Sequence, residues 1–327
     1  MIIKNILIIG FGSIAKKHLD NFIKNKFKGK IFIVSKRKHL NNSNHVSFHR
    51  NIKELKDEKI SLVVICSKSN SHLNDLKESY KYYGNKAFYL VEKPIYNNYR
   101  NCSLFFKKSK INKAKLFVGY QIQYSFGFKK IKELINKNKN KKIIVVNIDC
   151  QSYLPNWRNN RYFKAGASFE KKGGGVLLEL SHEINYLITL FGLPYKLICC
   201  SPKNKSFLSK VDENILAKFF YRDGKIINLK LNFDNQFYSR RFCEIRYVDK
   251  LIYWNLNTRT LKVYYKKKIK VYTFSKDKNL LELQYRNLLD CISKNKNNHS
   301  FNQSLITLKI VDLMKVSLKK KKLITVD

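Results

Sequence analysis

The sequence predicts an α/β fold in two parts: a doubly wound parallel sheet over 1–120, then an α+β region over 121–327. Three observations predict it. The chain opens on an apolar run, Ile6-Leu7-Ile8-Ile9, which passes at once into Gly10-Phe11-Gly12-Ser13-Ile14-Ala15 and then into a segment with Leu19, Phe22 and Ile23 at helical spacing. Further short apolar runs at 30–35, 61–66, 87–91 and 116–120 punctuate the first part, with a helical stretch over 72–80. After residue 197 the pattern changes to short β-rich runs at 197–201, 215–221, 225–233, 241–247, 251–256, 261–265 and 269–274, with Arg222-Asp223-Gly224 as a hairpin turn, which predicts an antiparallel meander.

The opening stretch reads as buried strand, glycine turn and amphipathic helix, a pattern with specific chemistry. Gly10 permits the tight turn, Gly12 lets the backbone approach a pyrophosphate, and Ala15 occupies the close contact between helix and strand. The free N–H groups at the helix start hold phosphate oxygens. Phe11, Ser13 and Ile14 complete this candidate dinucleotide loop. The run at 30–35 ends in Ser35-Lys36-Arg37, where NAD-preferring sites place an acidic residue on the ribose hydroxyls. Serine can bond a 2′-phosphate and the two cations can neutralise it, so the cofactor reads as NADP or NAD, with NADP favoured.

The run at 61–66 ends in Cys66 and Ser67 and leads to His72. Cys66 and Ser67 are candidate contacts for the cofactor. His72 is either another or simply a residue of the helix's first turn. The run at 87–91 ends in Glu92-Lys93-Pro94. Ligands of open α/β sheets sit outside the carboxyl ends of the strands. Lys93, fixed by Pro94, is therefore placed to hydrogen-bond a substrate oxygen, with Glu92 on the cofactor side.

The second part begins with a helix over 127–135, a strand over 142–150, and the loop Gln151-Ser152-Tyr153-Leu154-Pro155-Asn156-Trp157-Arg158. Gly173-Gly174-Gly175 leads into one helix over 176–187, on which Glu179, His182 and Asn185 fall every third residue and share a face. Three glycines before a helix let the backbone approach a ligand closely. Helices over 280–294 and 302–318 and a tail strand over 323–326 close the chain.

Hydrophobic residues make up 44% of the chain, enough for a sizeable core, and no apolar run approaches the ~20 residues of a membrane span. The N-terminus enters the first strand directly, leaving no room for a signal peptide. The seven cysteines are scattered, without CxxC or metal-ligand spacing, so reduced thiols, no metal site and a cytoplasmic location are expected. A formal charge of +43 raises nucleic-acid binding. The excess is mostly Lys, spread over the whole chain together with abundant Asn and Ile, which is compositional bias; a nucleic-acid partner is not expected.

These residues resemble the Gfo/Idh/MocA oxidoreductases. The resemblance rests on Gly10-x-Gly12-x-x-Ala15, the segment reaching His72, Glu92-Lys93-Pro94, Gly119-Tyr120, and Gly173-Gly174-Gly175 followed by His182. It implies a Rossmann domain and an α/β domain with a large open antiparallel sheet, whose face commonly makes homodimers or homotetramers. It implies NAD(P)-dependent hydride transfer at a C–OH/C=O carbon of a sugar, nucleotide sugar or cyclitol. Lys93 then contacts the substrate oxygen and His182 is the acid/base, with Gln121, Tyr153, Trp157, Arg158, Glu179 and Asn185 as sugar contacts. The 152–158 loop and Ser181-His182-Glu183 resemble the branch found beside cell-surface polysaccharide genes. The chain departs from the family pattern at Glu179 and Asn185, where Asp is usual, and at Gln121-Ile122-Gln123-Tyr124, where Asn-x-Arg-Phe is usual. Asn185 and the loss of that arginine keep open an alternative: a nucleotide-binding or assembly protein of the same fold with weakened catalysis.

Overall fold

The computed structural model describes residues 3–36, 43–157, 167–169, 173–207, 209–294, 296 and 298–326. The first part holds β1 (Ile6–Ile9), α1 (Ser13–Lys24), β2 (Ile31–Val34), β3 (Val46–His49), β4 (Leu62–Ile65), α2 (His72–Tyr83), β5 (Phe88–Val91), α3 (Tyr99–Lys108) and β6 (Leu116–Val118). The six strands pair in parallel in the order β3-β2-β1-β4-β5-β6. Every residue of β1, β2 and β4 is buried, which is why these strands read as unbroken apolar runs rather than alternating ones. The chain winds outward from β1 in both directions. The switch point, where such sheets bind ligands, therefore lies at the carboxyl ends of β1 and β4.

The second part holds α4 (Phe126–Lys137), β7 (Ile143–Gln151), α5 (Val176–Glu179), α6 (Ser181–Phe191), β8 (Lys196–Cys200), β9 (Asn214–Phe220), β10 (Ile226–Asn232), β11 (Arg240–Tyr247), β12 (Lys250–Asn255), β13 (Thr260–Tyr265) and β14 (Ile269–Thr273). After α7 (Leu280–Ser293) and α8 (Ser300–Lys320), β15 (Ile324–Thr325) joins the edge of a nine-stranded sheet in the order β14-β13-β12-β11-β7-β10-β9-β8-β15. The sheet is mixed rather than wholly antiparallel, as β7 and β10 run parallel at its centre. Two strands and two helices intervene between them, enough chain for β10 to return in the direction of β7. Alternation along β8 and β9 buries Leu197, Cys199, Ile215, Ala217 and Phe219 on one face and exposes Ile198, Cys200, Leu216 and Lys218 on the other.

Two compact units result: Met1–Tyr120 with Leu281–Leu308, and Gln121–Leu280 with Lys309–Asp327. The continuous second region anticipated over 121–327 is thus interrupted. The cause is the apolar face of α7, where Leu281, Tyr285 and Leu288 at helical spacing join the core of Ile6, Ile8, Phe22 and Phe117. The single helix anticipated over 176–187 is two. At Leu180 (φ −99°, ψ 26°) the backbone leaves the helix, and the Ser181 hydroxyl donates to the Leu178 carbonyl at 2.9 Å. No helix among the described residues is long and apolar enough to cross a membrane.

Candidate active site

The glycine turn after β1 is a cradle. Gly10 sits at φ +90°, and a Cβ there would lie 2.9 Å from the Cys66 carbonyl group and the Ser67 nitrogen. Its N–H donates to Val34 O at 2.8 Å, pinning the turn between β2 and β4. Gly12 is different: a Cβ there meets nothing within 4 Å, so the turn is open on the side that would receive a ligand. Gly12 caps α1 without a side chain, and no acidic residue follows in the first turn, which leaves the positive end of the helix to an anion. Ala15 is fully buried in the core. Phe11 meets Phe48 edge-on at 5.1 Å, Ser13 is exposed, and Ile14 packs against the core cluster. This cradle fits a dinucleotide pyrophosphate.

The two glycines therefore separate folding from binding. Gly12→Val is expected to weaken dinucleotide binding about a hundredfold, with the melting temperature within ~2 °C of the parent. Gly10→Ala is expected to cost ~2–3 kcal/mol of stability through backbone strain and contact with Cys66. Nicotinamide fluorescence titration and thermal melts of both variants check this.

Around the cradle, Ser35 is buried at the end of β2 with its N–H on His49 O at 3.0 Å, and Lys36 beside it is exposed. Arg37 lies outside the described residues. Cys66 is buried, and burial, helped by the Glu92 charge, pushes its thiol well up, so it stays protonated. The Ser67 hydroxyl donates to Asp75, whose carboxyl is raised by burial. His72 is buried, with one ring nitrogen 3.0 Å from Pro94 O and the other 3.0 Å from Ser67 O. Burial holds this imidazole below its ordinary value, and both nitrogens are taken up by main chain. His72 thus ties the turn after β4 to the turn after β5 rather than presenting a free nitrogen to a ligand.

At the end of β5, Glu92 is buried and accepts from His18 Nε2 at 2.9 Å, and Tyr285 lies 2.7 Å from His18 Nδ1. Lys93 follows, half-buried, joined to Pro94 by a cis peptide bond. The sequence reading missed His18 and Tyr285. The available signal was a histidine on the buried face of α1, three residues after Ala15 and four before Phe22.

In the second unit the break at Leu180 separates residues that were expected to share a face. Glu179, on α5, accepts from the Ser168 hydroxyl at 2.6 Å, whereas His182 and Asn185 lie on α6. His182 is half-buried. Asn185 is buried and accepts from the Gln123 amide, which also donates to Thr189 Oγ1 at 3.2 Å. The close approach at Gly175 (φ +92°) serves the protein itself: a Cβ there would lie 2.6 Å from Asp212, whose carboxylate accepts from Leu177 N at 2.9 Å. Gln121 is half-buried. Tyr153 packs on Phe207 at 5.9 Å, and Trp157 is 39% exposed with its ring edge-on to Phe233 at 6.5 Å. Arg158 lies outside the described residues. Glu183, adjacent to His182 and fully buried, accepts from Arg241 Nε at 2.7 Å. Burial alone would lower the Arg241 pKa, but the Glu183 carboxylate outweighs it and the guanidinium stays charged.

No curated protein matches the chain in sequence. Solved structures match it along its length. The WlbA dehydrogenase from Bordetella pertussis, in complex with NADH and UDP-GlcNAcA, is 14% identical with a TM-score of 0.78, over 100% of this chain and 99% of that one. Levoglucosan dehydrogenase, in complex with NADH and levoglucosan, is 13% identical with a TM-score of 0.81, over 99% of each chain. Myo-inositol 2-dehydrogenase from Lactobacillus plantarum is 14% identical with a TM-score of 0.78, over 100% of each. At these identities the likeness is one of fold. Two family profiles go further: one for the oxidoreductase family's NAD-binding Rossmann fold matches residues 4–120, and one for its C-terminal alpha/beta domain matches residues 132–247. The cradle after β1 and the mixed sheet that follows are thus two matched halves of one architecture, and the chain belongs to the Gfo/Idh/MocA oxidoreductase family.

Proposed function

We propose that this protein transfers hydride between a nicotinamide dinucleotide and the C–OH/C=O carbon of a sugar, nucleotide sugar or cyclitol. The observation that carries the reading is the Gly10–Gly12 cradle, with Glu92-Lys93-Pro94 at a strand end of the same sheet. The bound dinucleotide supplies or accepts the hydride. The protein supplies the rest. The Lys93 ammonium stabilises negative charge developing on the substrate oxygen, and His182 takes or returns the hydroxyl proton. Gln121, Tyr153, Trp157, Arg158, Glu179 and Asn185 are the candidate sugar contacts. Structural neighbours that bind UDP-GlcNAcA and levoglucosan support this substrate range, and we extend it to surface polysaccharide biosynthesis.

NADP is the favoured cofactor in this reading. The stretch after β2, residues 35–42, contains no acidic residue to take ribose hydroxyls and offers Ser35, Lys36 and Arg37 to a 2′-phosphate. The cysteines are free thiols, which fits a cytoplasmic location. The test is a fluorescence titration with NADPH and NADH, followed by turnover on panels of free sugars, nucleotide sugars and cyclitols. Tighter NADPH binding with turnover on one class supports the reading, and binding of neither cofactor overturns it. Cofactor binding without turnover on any panel favours the weakened-catalysis alternative, which the neutral Gln123–Asn185 pair motivates.

The reading includes assembly with a second copy of the chain through the outer face of the nine-stranded sheet. That face holds a cavity of about 1130 Å³ lined by Ile198, Leu216 and Phe242 among lysines, and Leu216 is 44% exposed. Leu216→Glu is expected to turn the oligomer into a monomer in sedimentation velocity, and an unchanged sedimentation coefficient overturns this assignment of the face.

A further inference from the structure

A buried chain of side chains ends on Glu92. Three residues far apart in sequence converge there: His18 from α1, Gly119 after β6 and Tyr285 from α7. His18 and Tyr285 are buried, and the Tyr285 ring also packs on Phe22 at 4.6 Å. Burial, with Cys66 and Glu92 adding to it, pushes the Tyr285 hydroxyl well above its ordinary value, so it keeps its proton, and it lies 2.7 Å from His18 Nδ1. On the other side of the ring, His18 Nε2 lies 2.9 Å from Glu92 Oε1 and donates to that carboxylate. The ring is thereby held from both sides, with the Glu92 carboxylate as its acceptor. Gly119 completes the seat, because a Cβ there would lie 2.8 Å from Glu92 Oε1.

The titratable groups facing this carboxylate are His18 from α1, Cys66 from the end of β4, His72 from α2 and Tyr285 from α7. Cys66 and Tyr285 are held protonated and neutral by burial, and burial likewise disfavours the charged form of His72. Toward Cys66 and Tyr285 the Glu92 carboxylate therefore faces neutral groups. It also lies beside the dinucleotide turn. His18 is on the helix that Gly12 caps, and Cys66, whose thiol feels the Glu92 charge, carries the carbonyl that a Gly10 Cβ would strike at 2.9 Å.

A nicotinamide ring is positively charged when oxidised and neutral when reduced. A fixed buried anion at the strand ends interacts with the first and hardly with the second. We propose that Glu92, positioned by His18 and Tyr285, sets the preference of the site for the oxidised over the reduced cofactor. This rests on the dinucleotide-binding reading above and adds a direction to it.

The test measures dissociation constants for oxidised and reduced cofactor separately, by calorimetry and fluorescence. Glu92→Gln keeps the shape beside Gly119 and the contact with His18 but removes the charge. It is expected to weaken oxidised cofactor about tenfold while leaving the reduced form within about twofold. Glu92→Asp restores the charge and recovers most of the preference. Tyr285→Phe keeps the ring packing, removes the hydroxyl that holds the His18 ring and gives a smaller loss of the same selective kind, about threefold. Equal weakening of both forms, or no change in their ratio, overturns the proposal, since a merely structural Glu92 has no reason to discriminate between redox states. Thermal melts identify a variant that fails to fold, and Tyr285→Phe with Glu92→Asp then decides. If the parent protein binds neither form, the dinucleotide reading itself has failed, an outcome distinct from binding with an unchanged ratio.

Discussion

Lys93→Met is expected to lower turnover about a thousandfold while leaving dinucleotide affinity within about twofold, the size of effect seen when a site loses its principal stabiliser of a developing oxyanion. The surroundings of Lys93 explain why the loss should be specific. Its backbone is held from both sides: Glu92 before it is anchored on His18, and the carbonyl of Pro94 after it lies 3.0 Å from the buried His72 ring. The side chain is half-buried, so its ammonium acts where water screens it less than at an open surface. Methionine has nearly the same length and no charge, and the fixed turn has no reason to rearrange around it. The expected signature is a fall in kcat with little change in cofactor dissociation constant. A loss of cofactor affinity equal to the loss of turnover would instead assign Lys93 to cofactor binding, and full turnover would remove it from the chemistry.

What could be read in advance, and what could not, follows from how far the relevant contacts reach along the chain. Gly10 to Ala15 was legible because strand, turn and helix are consecutive and each glycine has a local steric reason. Lys93 was legible as a strand-end residue for the same kind of reason. The partners of Glu92 were not: His18 lies 74 residues before it, and Tyr285 lies 267 residues after His18, on a helix that returns to the first unit. No local pattern announces that return, since the face of α7 looks like that of any amphipathic helix. The break at Leu180 was hidden because residues 176–187 keep a continuous apolar pattern, while the feature that ends α5 is a serine hydroxyl turning back onto a carbonyl. β3 was missed because its four residues are only half-buried and give a short run. The parallel pairing of β7 with β10 depends on the order of strands in the sheet, which alternation along each strand does not encode.

The second large effect concerns two of the positions, Gln123 and Asn185, where the family resemblance leads one to expect charged residues. Read one at a time, Gln123 in place of arginine and Asn185 in place of aspartate look like two losses. In the structure they are hydrogen-bonded to each other, so a change at one is felt at the other. Asn185→Asp alone places a carboxylate at a buried site facing an uncharged amide, and is expected to cost ~3–4 kcal/mol at neutral pH. Burial raises the pKa of such a carboxyl in the folded state above its unfolded value. The folded state then binds more protons than the unfolded one between the two values, so relative stability is lost as pH rises through that window and recovered in acid. Adding Gln123→Arg supplies a guanidinium to the carboxylate and is expected to restore ~2–3 kcal/mol, read as the coupling term of a double-mutant cycle in urea unfolding. The paired variant also tests the catalytic alternative, because it carries the usual charges while keeping Lys93 and His182. A rise in turnover in the double variant alone would mean that the neutral pair had weakened an ordinary dehydrogenase. Unchanged turnover with restored stability would mean that the pair is a structural exchange and that the site works with its amides. Independent, additive costs in the cycle would sink the idea that a change at one position is felt at the other.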